Sequence, residues 1–240
     1  MTTVYAGTSG WSYPAWKPAF YPAKLASAKF LSYYATRLNT VEVNYTFRAF
    51  PSEKMLNAWV AATPEHFRFA VKAHQSITHI QRLHDAGEGV ARFVKALEPL
   101  RNASRLGPVL FQLPPFLKCN AERLESFLQT LPEGLRAAFE FRHESWFCEE
   151  VFGLLRKAHA APCEAESESM KTPAVQTTGF SYLRLRKEEY SAAARKHIVE
   201  RVSTASGAGD VFVYFKHEDT PDGALYAEEV LAAVRPDHMR

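Results

Sequence analysis

The amino-acid sequence predicts an α/β fold, a single (β/α)8 TIM-type barrel, and three observations lead there. Short β-like runs recur about every 30 residues, the spacing of repeated βα units around a parallel sheet, and eight can be counted. Segments of helical period separate most of them. The 240 residues also show no Pro/Gly-rich linker, no shift of composition and no low-complexity stretch. Barrels of ~250 residues run as one domain, so residues 1–240 are read as one.

The β-like runs fall at 4–10, 40–46, 67–74, 108–113, 136–142, 161–166, 180–186 and 210–217. Between them, Val90, Phe93, Val94 and Leu97 stand at i, i+3, i+4 and i+7, as do Leu124, Phe127, Leu128 and Leu131, so both segments predict amphipathic helices. Ser52 is placed to cap a helix carrying Met55, Leu56, Trp59 and Val60, and Asn120 to cap the one leading to Leu131. Phe30, Leu31, Tyr34 and Leu38 mark an earlier helix, and Tyr226, Val230 and Val234 a last one. Residues Ser167 to Gly179 are rich in Ser, Thr and Pro without apolar periodicity, which predicts an irregular or missing helix after the sixth strand and seven helices rather than eight.

Because successive strand side chains point to opposite faces, each run splits into two sets. Val41, Val43 and Tyr45 oppose Glu42 and Asn44; Phe69 and Val71 oppose Lys72 and His74. Val109, Phe111 and Leu113 oppose Leu110 and Gln112, while Phe139 and Phe141 oppose Glu140 and Arg142. Leu183 and Leu185 oppose Tyr182, Arg184 and Arg186, and Val211, Val213 and Phe215 oppose Phe212, Tyr214 and Lys216. The apolar sets suit helix contact, so the polar sets are expected to face the lumen near the C-terminal mouth, where barrels of this kind place their sites. Five inward cations (Lys72, Arg142, Arg184, Arg186, Lys216) against two carboxylates (Glu42, Glu140) would leave three positive charges in excess. An excess of that kind, costly to bury unpaired, predicts a bound phosphate or carboxylate, or ordered counter-ions, the alternative being that Glu42 and Glu140 only cross-brace neighbouring Arg and Lys.

Composition bounds the partners. A net charge of +3 is too small a bias to indicate non-specific duplex binding, and no run of apolar residues is long enough for a membrane span. The first residues lack a basic stretch followed by an apolar one, and Cys119, Cys148 and Cys163 have neither disulfide nor zinc spacing, so a cytoplasmic protein without an export signal is expected. Oligomeric state is not readable.

Several chemistries are open to these residues. Glu140, two residues from Arg142, is the first candidate for an acid or base, with a structural salt bridge as the alternative; Glu42 could supply a second carboxylate. Lys72 could hold phosphate or act as an imine-forming nucleophile, but pairing with Glu42 or Glu140 is the expected role. Arg184, Arg186 and Lys216 are candidates for gripping an anion, together with Asn44, His74, Gln112, Arg142 and Tyr214. Trp11 and Trp146, with Tyr13, Trp16 and Tyr21, fall in or after strand-end loops, where they could stack on a ligand or pack as lids. His74, His79, His143 and His217 with Glu42, Glu140 and Glu164 contain metal-binding types without metal-ligand spacing, so no metal and no cofactor are expected. The segment Gly7-Thr8-Ser9-Gly10 lacks the Lys of a phosphate loop.

Taken together, the motifs resemble the YecE-like family, also called domain of unknown function 72. They are Gly7-Thr8-Ser9-Gly10-Trp11-Ser12-Tyr13 with Trp16 and Phe20-Tyr21-Pro22, Thr40-Val41-Glu42-Val43-Asn44 with Thr46-Phe47, and Phe69-Ala70-Val71-Lys72-Ala73 with Ile77-Thr78-His79. Leu110-Phe111-Gln112-Leu113-Pro114-Pro115, Phe139-Glu140-Phe141-Arg142-His143 with Ser145-Trp146-Phe147, Tyr182-Leu183-Arg184-Leu185 and Tyr214-Phe215-Lys216-His217 continue the match over nearly the whole chain. The resemblance implies a TIM-barrel fold and leaves activity open. Two departures stand out: Arg186-Lys187 replaces an expected His-Gly pair, and the sixth strand offers Glu164 and Glu166 where an Asp is expected. Both would make one side of the mouth more cationic. The function expected is an enzyme, a hydrolase, isomerase or lyase, binding a small anionic, phosphorylated or carboxylated and sugar-like substrate at the mouth. The alternatives are a non-catalytic nucleotide or nucleic-acid-end binder and a metal-dependent phosphoesterase.

Overall fold

The computed structural model describes residues 2–167, 171–216 and 218–234. Eight parallel strands run in the order β1-β8-β7-β6-β5-β4-β3-β2. They are β1 (Val4–Thr8), β2 (Thr40–Val43), β3 (Arg68–Lys72), β4 (Leu106–Gln112), β5 (Ala137–Glu140), β6 (Ala161–Glu166), β7 (Phe180–Leu185) and β8 (Asp210–Phe215). The barrel nearly closes, because β1 and β2 share a single parallel bridge, Ser9 with Glu42.

Helices fill seven of the eight positions, as the sequence predicts. They are α1 (Phe30–Arg37), α2 (Glu53–Ala61), the pair α3 (Gly87–Ala96) and α4 (Glu98–Asn102) in one crossover, α5 (Ala121–Leu128), α6 (Glu149–Lys157), α7 (Ala192–Ser206) and α8 (Asp222–Val234). Both predicted caps form: Ser52 Oγ accepts from the Met55 N–H at 3.2 Å and Asn120 Oδ1 from the Arg123 N–H at 2.8 Å. Among the described residues no helix stands between β6 and β7. There Thr172 lies against β6, its N–H donating to the Ala165 carbonyl at 3.0 Å and its Oγ1 accepting from the Ala165 N–H at 2.8 Å. No helix among the described residues is long and apolar enough to cross a membrane.

Strand parity divides the core in two. Val41, Val43, Phe69, Val71, Val109, Phe111, Phe139, Leu183, Leu185, Val211 and Val213 pack outward with the helices. A separate cluster fills the barrel: Tyr5, Ala70, Leu110, Ala138, Cys163, Phe180, Tyr182, Phe212 and Tyr214. The N-terminal part of the lumen is thus apolar, and the charged members of the same strand faces sit above it, toward the C-terminal ends.

Side chains stitch the seam between β1 and β2. Asn39 accepts from the Ala6 N–H at 3.0 Å and donates to the Val4 carbonyl at 2.8 Å, taking both roles of a missing strand neighbour. The Tyr34 hydroxyl accepts from the Thr8 N–H and donates to the Thr40 carbonyl, each at 2.9 Å. Gly7 is required here because a Cβ would lie 2.0 Å from the Thr40 carbonyl oxygen.

Several runs end sooner than the sequence suggests. The second stops at Val43, where Asn44 leads into a 3-10 turn (Tyr45–Phe47); the third stops at Lys72, the fifth at Glu140 and the last at Phe215. Past the last ladder residue alternation no longer sets direction, and Arg142 and Lys216 are exposed rather than inward.

Tyr34→Phe should lower stability by about 1–3 kcal/mol, the cost of leaving a buried N–H unpaired. Urea unfolding measures this, with Tyr33→Phe, on the same helix and outside the seam, as the comparison.

Candidate functional site

A buried ion triad crosses the lumen below the mouth. Arg184 on β7 is 0 % exposed and donates from Nε to Glu42 Oε2 at 2.8 Å, from Nη2 to Glu42 Oε1 at 2.7 Å, and from Nη1 to Glu140 Oε2. Glu42 also accepts from Ser9 Oγ at 2.8 Å, the Tyr182 hydroxyl at 2.8 Å and Asn44 Nδ2 at 3.4 Å. Burial pushes the Glu42 carboxyl up, but the Arg184 charge and hydrogen bonds, helped by Arg186 and Ser9, outweigh it and hold the group at about 2. Glu140 is lowered by the same balance of burial against Arg184, Arg186 and Gln112.

That geometry revises the roles read from sequence. Glu42 and Glu140, at 0 % and 2 % exposed, are ionised and saturated with donors, so they brace the barrel rather than meet a ligand as acid or base. Arg184 is spent on them and is not an open anion grip. Tyr214 is buried, its hydroxyl 2.8 Å from Thr40 Oγ1, and belongs to the inner core. Trp146 is also buried, stacked on Phe141 and donating to the Leu117 carbonyl at 2.7 Å, so it packs under a loop and offers no face to a ligand. Glu164 and Glu166 point outward and pair with Arg201 of α7, latching that helix over β6 where a helix is missing. Glu166 also pairs with Lys187, just past the end of β7, at 3.2 Å.

Two inward cations remain outside the triad. Lys72 is half-buried; its Nζ donates to Gln112 Oε1 at 2.7 Å and lies 4.1 Å from the Phe47 ring centre. Gln112 in turn donates to Glu140 Oε1 at 2.9 Å, so a neutral amide stands between the amine and the carboxylate it was expected to pair with. Burial, reinforced by the charges of Arg184 and Arg186 and opposed by Glu140 and Glu42, lowers the Lys72 ammonium to about 8. Arg186 is half-buried, and among the described residues its Nε is the one buried side-chain nitrogen or oxygen without a hydrogen-bond partner. Counting Lys72, Arg184 and Arg186 against Glu42 and Glu140, the interior carries one excess positive charge, not three.

Around this cluster, Trp11, Tyr13, Asn44, Tyr45 and Glu218 line a cleft of about 250 Å³ at the ends of β1 and β2, with Trp11 held edge-on to Trp59. A larger cavity, about 730 Å³, lies outside the barrel between α2, α3 and α4. His74 is turned to Ser76, 2.8 Å away. His79 meets the Phe47 ring edge-on at 4.8 Å; burial, then the charges of Lys72, Arg142 and Arg48, lower its pKa, which places it beside Lys72, a neighbour that no spacing in the sequence disclosed. No group of three or more His, Cys, Asp or Glu among the described residues is gathered to hold a metal ion, and His217 lies outside them.

Comparison with known proteins places the chain in a wider set of barrels. The family described as "Protein of unknown function DUF72" matches residues 5–239. The UPF0759 protein YunF of Bacillus subtilis is 34% identical over 151 residues, 60% of this chain and 52% of that protein, so the match spans about half the relative's length. A DUF72 family crystal structure from Thermotoga maritima superposes with TM-score 0.85 at 28% identity, covering 96% of this chain and 98% of the other. One from Enterococcus faecalis gives 0.77 at 19% identity, covering 97% and 98%, which speaks for the fold alone.

Arg184→Leu should cost about 3–5 kcal/mol at pH 7, since two buried carboxylates lose their counter-ion. The pH profile carries the sign. Depressed carboxyls contribute stability above their unfolded pKa, near 4.5, that is lost as pH falls toward about 2 in the wild type. In the variant they titrate above 4.5, so stability should rise over the same acidification; denaturant unfolding from pH 6 to 3 reads both slopes.

Proposed function

The chain belongs to the DUF72 family of proteins of unknown function, and from that premise we propose a barrel enzyme that binds a small anionic substrate, phosphorylated or carboxylated, at its C-terminal mouth. The observation that carries this reading is the unpartnered Arg186 Nε. A buried guanidinium nitrogen without an acceptor is costly, and a ligand oxygen would supply the acceptor. Its two nearby carboxylates, Glu42 and Glu140, are both bonded to Arg184, and no described residue accepts from Nε. Lys72 lies in the same field and likewise lacks a carboxylate within hydrogen-bond reach. Trp11 and Tyr13, beside the mouth, give an aromatic wall suited to the apolar or sugar-like part of such a molecule.

Isothermal titration with inorganic phosphate at low ionic strength should show binding that weakens with added chloride. Arg186→Gln should weaken it roughly ten- to hundredfold, the worth of about 1.5–3 kcal/mol for a charge-assisted hydrogen bond. Equal binding by the variant, or no binding by the wild type at millimolar phosphate, would remove the reading.

A further inference from the structure

We propose that Lys72 is an amine nucleophile that forms an imine with a ketone or aldehyde carbonyl of the bound anion, whose acid group lies on Arg186. The inference rests on the anion reading above and adds the class of substrate and the covalent step.

The argument starts from what surrounds Nζ. A lysine meant only to hold phosphate is served by a full charge, and a carboxylate in contact would secure it. Here Gln112 occupies the contact, accepting from Nζ at 2.7 Å and passing its own donor to Glu140 at 2.9 Å. The carboxylates that could charge the amine, Glu42 and Glu140, are tied to Arg184. Phe47 covers one side of Nζ at 4.1 Å and offers only the weak attraction of a ring face. Arg184 and Arg186 add like charge, and the His79 ring meets the same Phe47. Burial and these neighbours leave the ammonium near 8, so the free amine is accessible around neutral pH.

The chemistry needs no further reactant. The neutral Nζ lone pair forms the bond to the carbonyl carbon as the C=O π pair moves to oxygen, and one Nζ proton passes to that oxygen, giving a neutral carbinolamine. The hydroxyl then takes a proton from solvent and leaves as water while the nitrogen lone pair forms the C=N bond, and the iminium returns its remaining N–H proton to solvent. The sum is amine plus carbonyl giving imine plus water; hydrolysis reverses each step.

Glyoxylate, the smallest anion with an aldehyde, is the probe, with cyanoborohydride to reduce any imine and peptide mass mapping to locate it. At pH 7 Lys72 should be labelled about a hundredfold faster than exposed lysines such as Lys54 and Lys157, reflecting the larger fraction of free amine. Its rate should be half-maximal near pH 8. Inorganic phosphate should slow it by competition, which a merely structural lysine would not show, and Arg186→Gln should slow it and move the pH midpoint upward as a like charge is removed. Labelling of Lys72 no faster than of Lys54 and Lys157 overturns the imine while leaving phosphate titration to judge the anion site separately. Fast labelling that phosphate does not slow, and that uncharged acetaldehyde matches, overturns the anionic substrate class.

Discussion

Arg184 reaches from β7 to carboxylates on β2 and β5, and this one guanidinium sets the character of the upper lumen. Three full charges without solvent are expensive, and such a set is seldom the most stable filling for a core. What it provides is fixed geometry: each nitrogen of Arg184 donates to a carboxylate, and Ser9, Tyr182 and Gln112 occupy further lone pairs. Because the triad consumes both inward carboxylates, every other inward cation must find a different partner. Lys72 finds an amide and a ring face; Arg186 Nε finds no partner among the described residues. The open side of the lumen is therefore what the structural side leaves over.

Two irregularities in the barrel are handled by side chains in a similar way. At the β1/β2 seam, Asn39 and Tyr34 supply the donors and acceptors that a full ladder would have supplied, and the bare Gly7 lets the Thr40 carbonyl come close. Between β6 and β7, where the described residues form no helix, Arg201 reaches from α7 to Glu164 and Glu166, and Thr172 pairs with the β6 backbone. The half of the barrel that carries β3, β4 and β5 keeps regular parallel pairing apart from one register shift in β3, which gives Lys72, Gln112 and Glu140 a rigid base.

Strand parity was the part of this design most open to reading in the sequence. It assigned Glu42, Lys72, Gln112, Glu140 and Arg184 to one chamber because ladder residues must alternate. It failed one or two residues past the strand ends, where Arg142 and Lys216 turn out to solvent. Pairing was not legible at all: Arg184 and Glu42 are 142 residues apart, and nothing local says which carboxylate an arginine will meet across a lumen. The insertion of Gln112 between Lys72 and Glu140 depends on the register of β3, β4 and β5, and the approach of His79 to Phe47 on loop geometry; periodicity encodes neither. Trp146 shows the opposite error, since an aromatic after a strand end satisfied both a rim and a packing reading until its indole was seen donating to Leu117.

The same field acts in opposite directions on the two kinds of group it surrounds. Positive neighbours hold Glu42 at about 2, so it is charged and chemically quiet throughout the neutral range. They also help burial bring Lys72 to about 8, below the value near 10.4 of a solvated lysine. For the carboxylate the shift is stabilising at neutral pH. For the amine it is a cost: the unfolded chain binds the Lys72 proton more tightly, so that cost is present below about 8 and is relieved only as pH rises toward 10.4. A direct ion pair with Glu140 would have reduced the cost, yet Gln112 holds the two apart. A position that gives up stability under ordinary conditions, when a one-atom change from amide to acid beside it would supply a counter-charge, is better explained by what a free amine can do than by what it holds together.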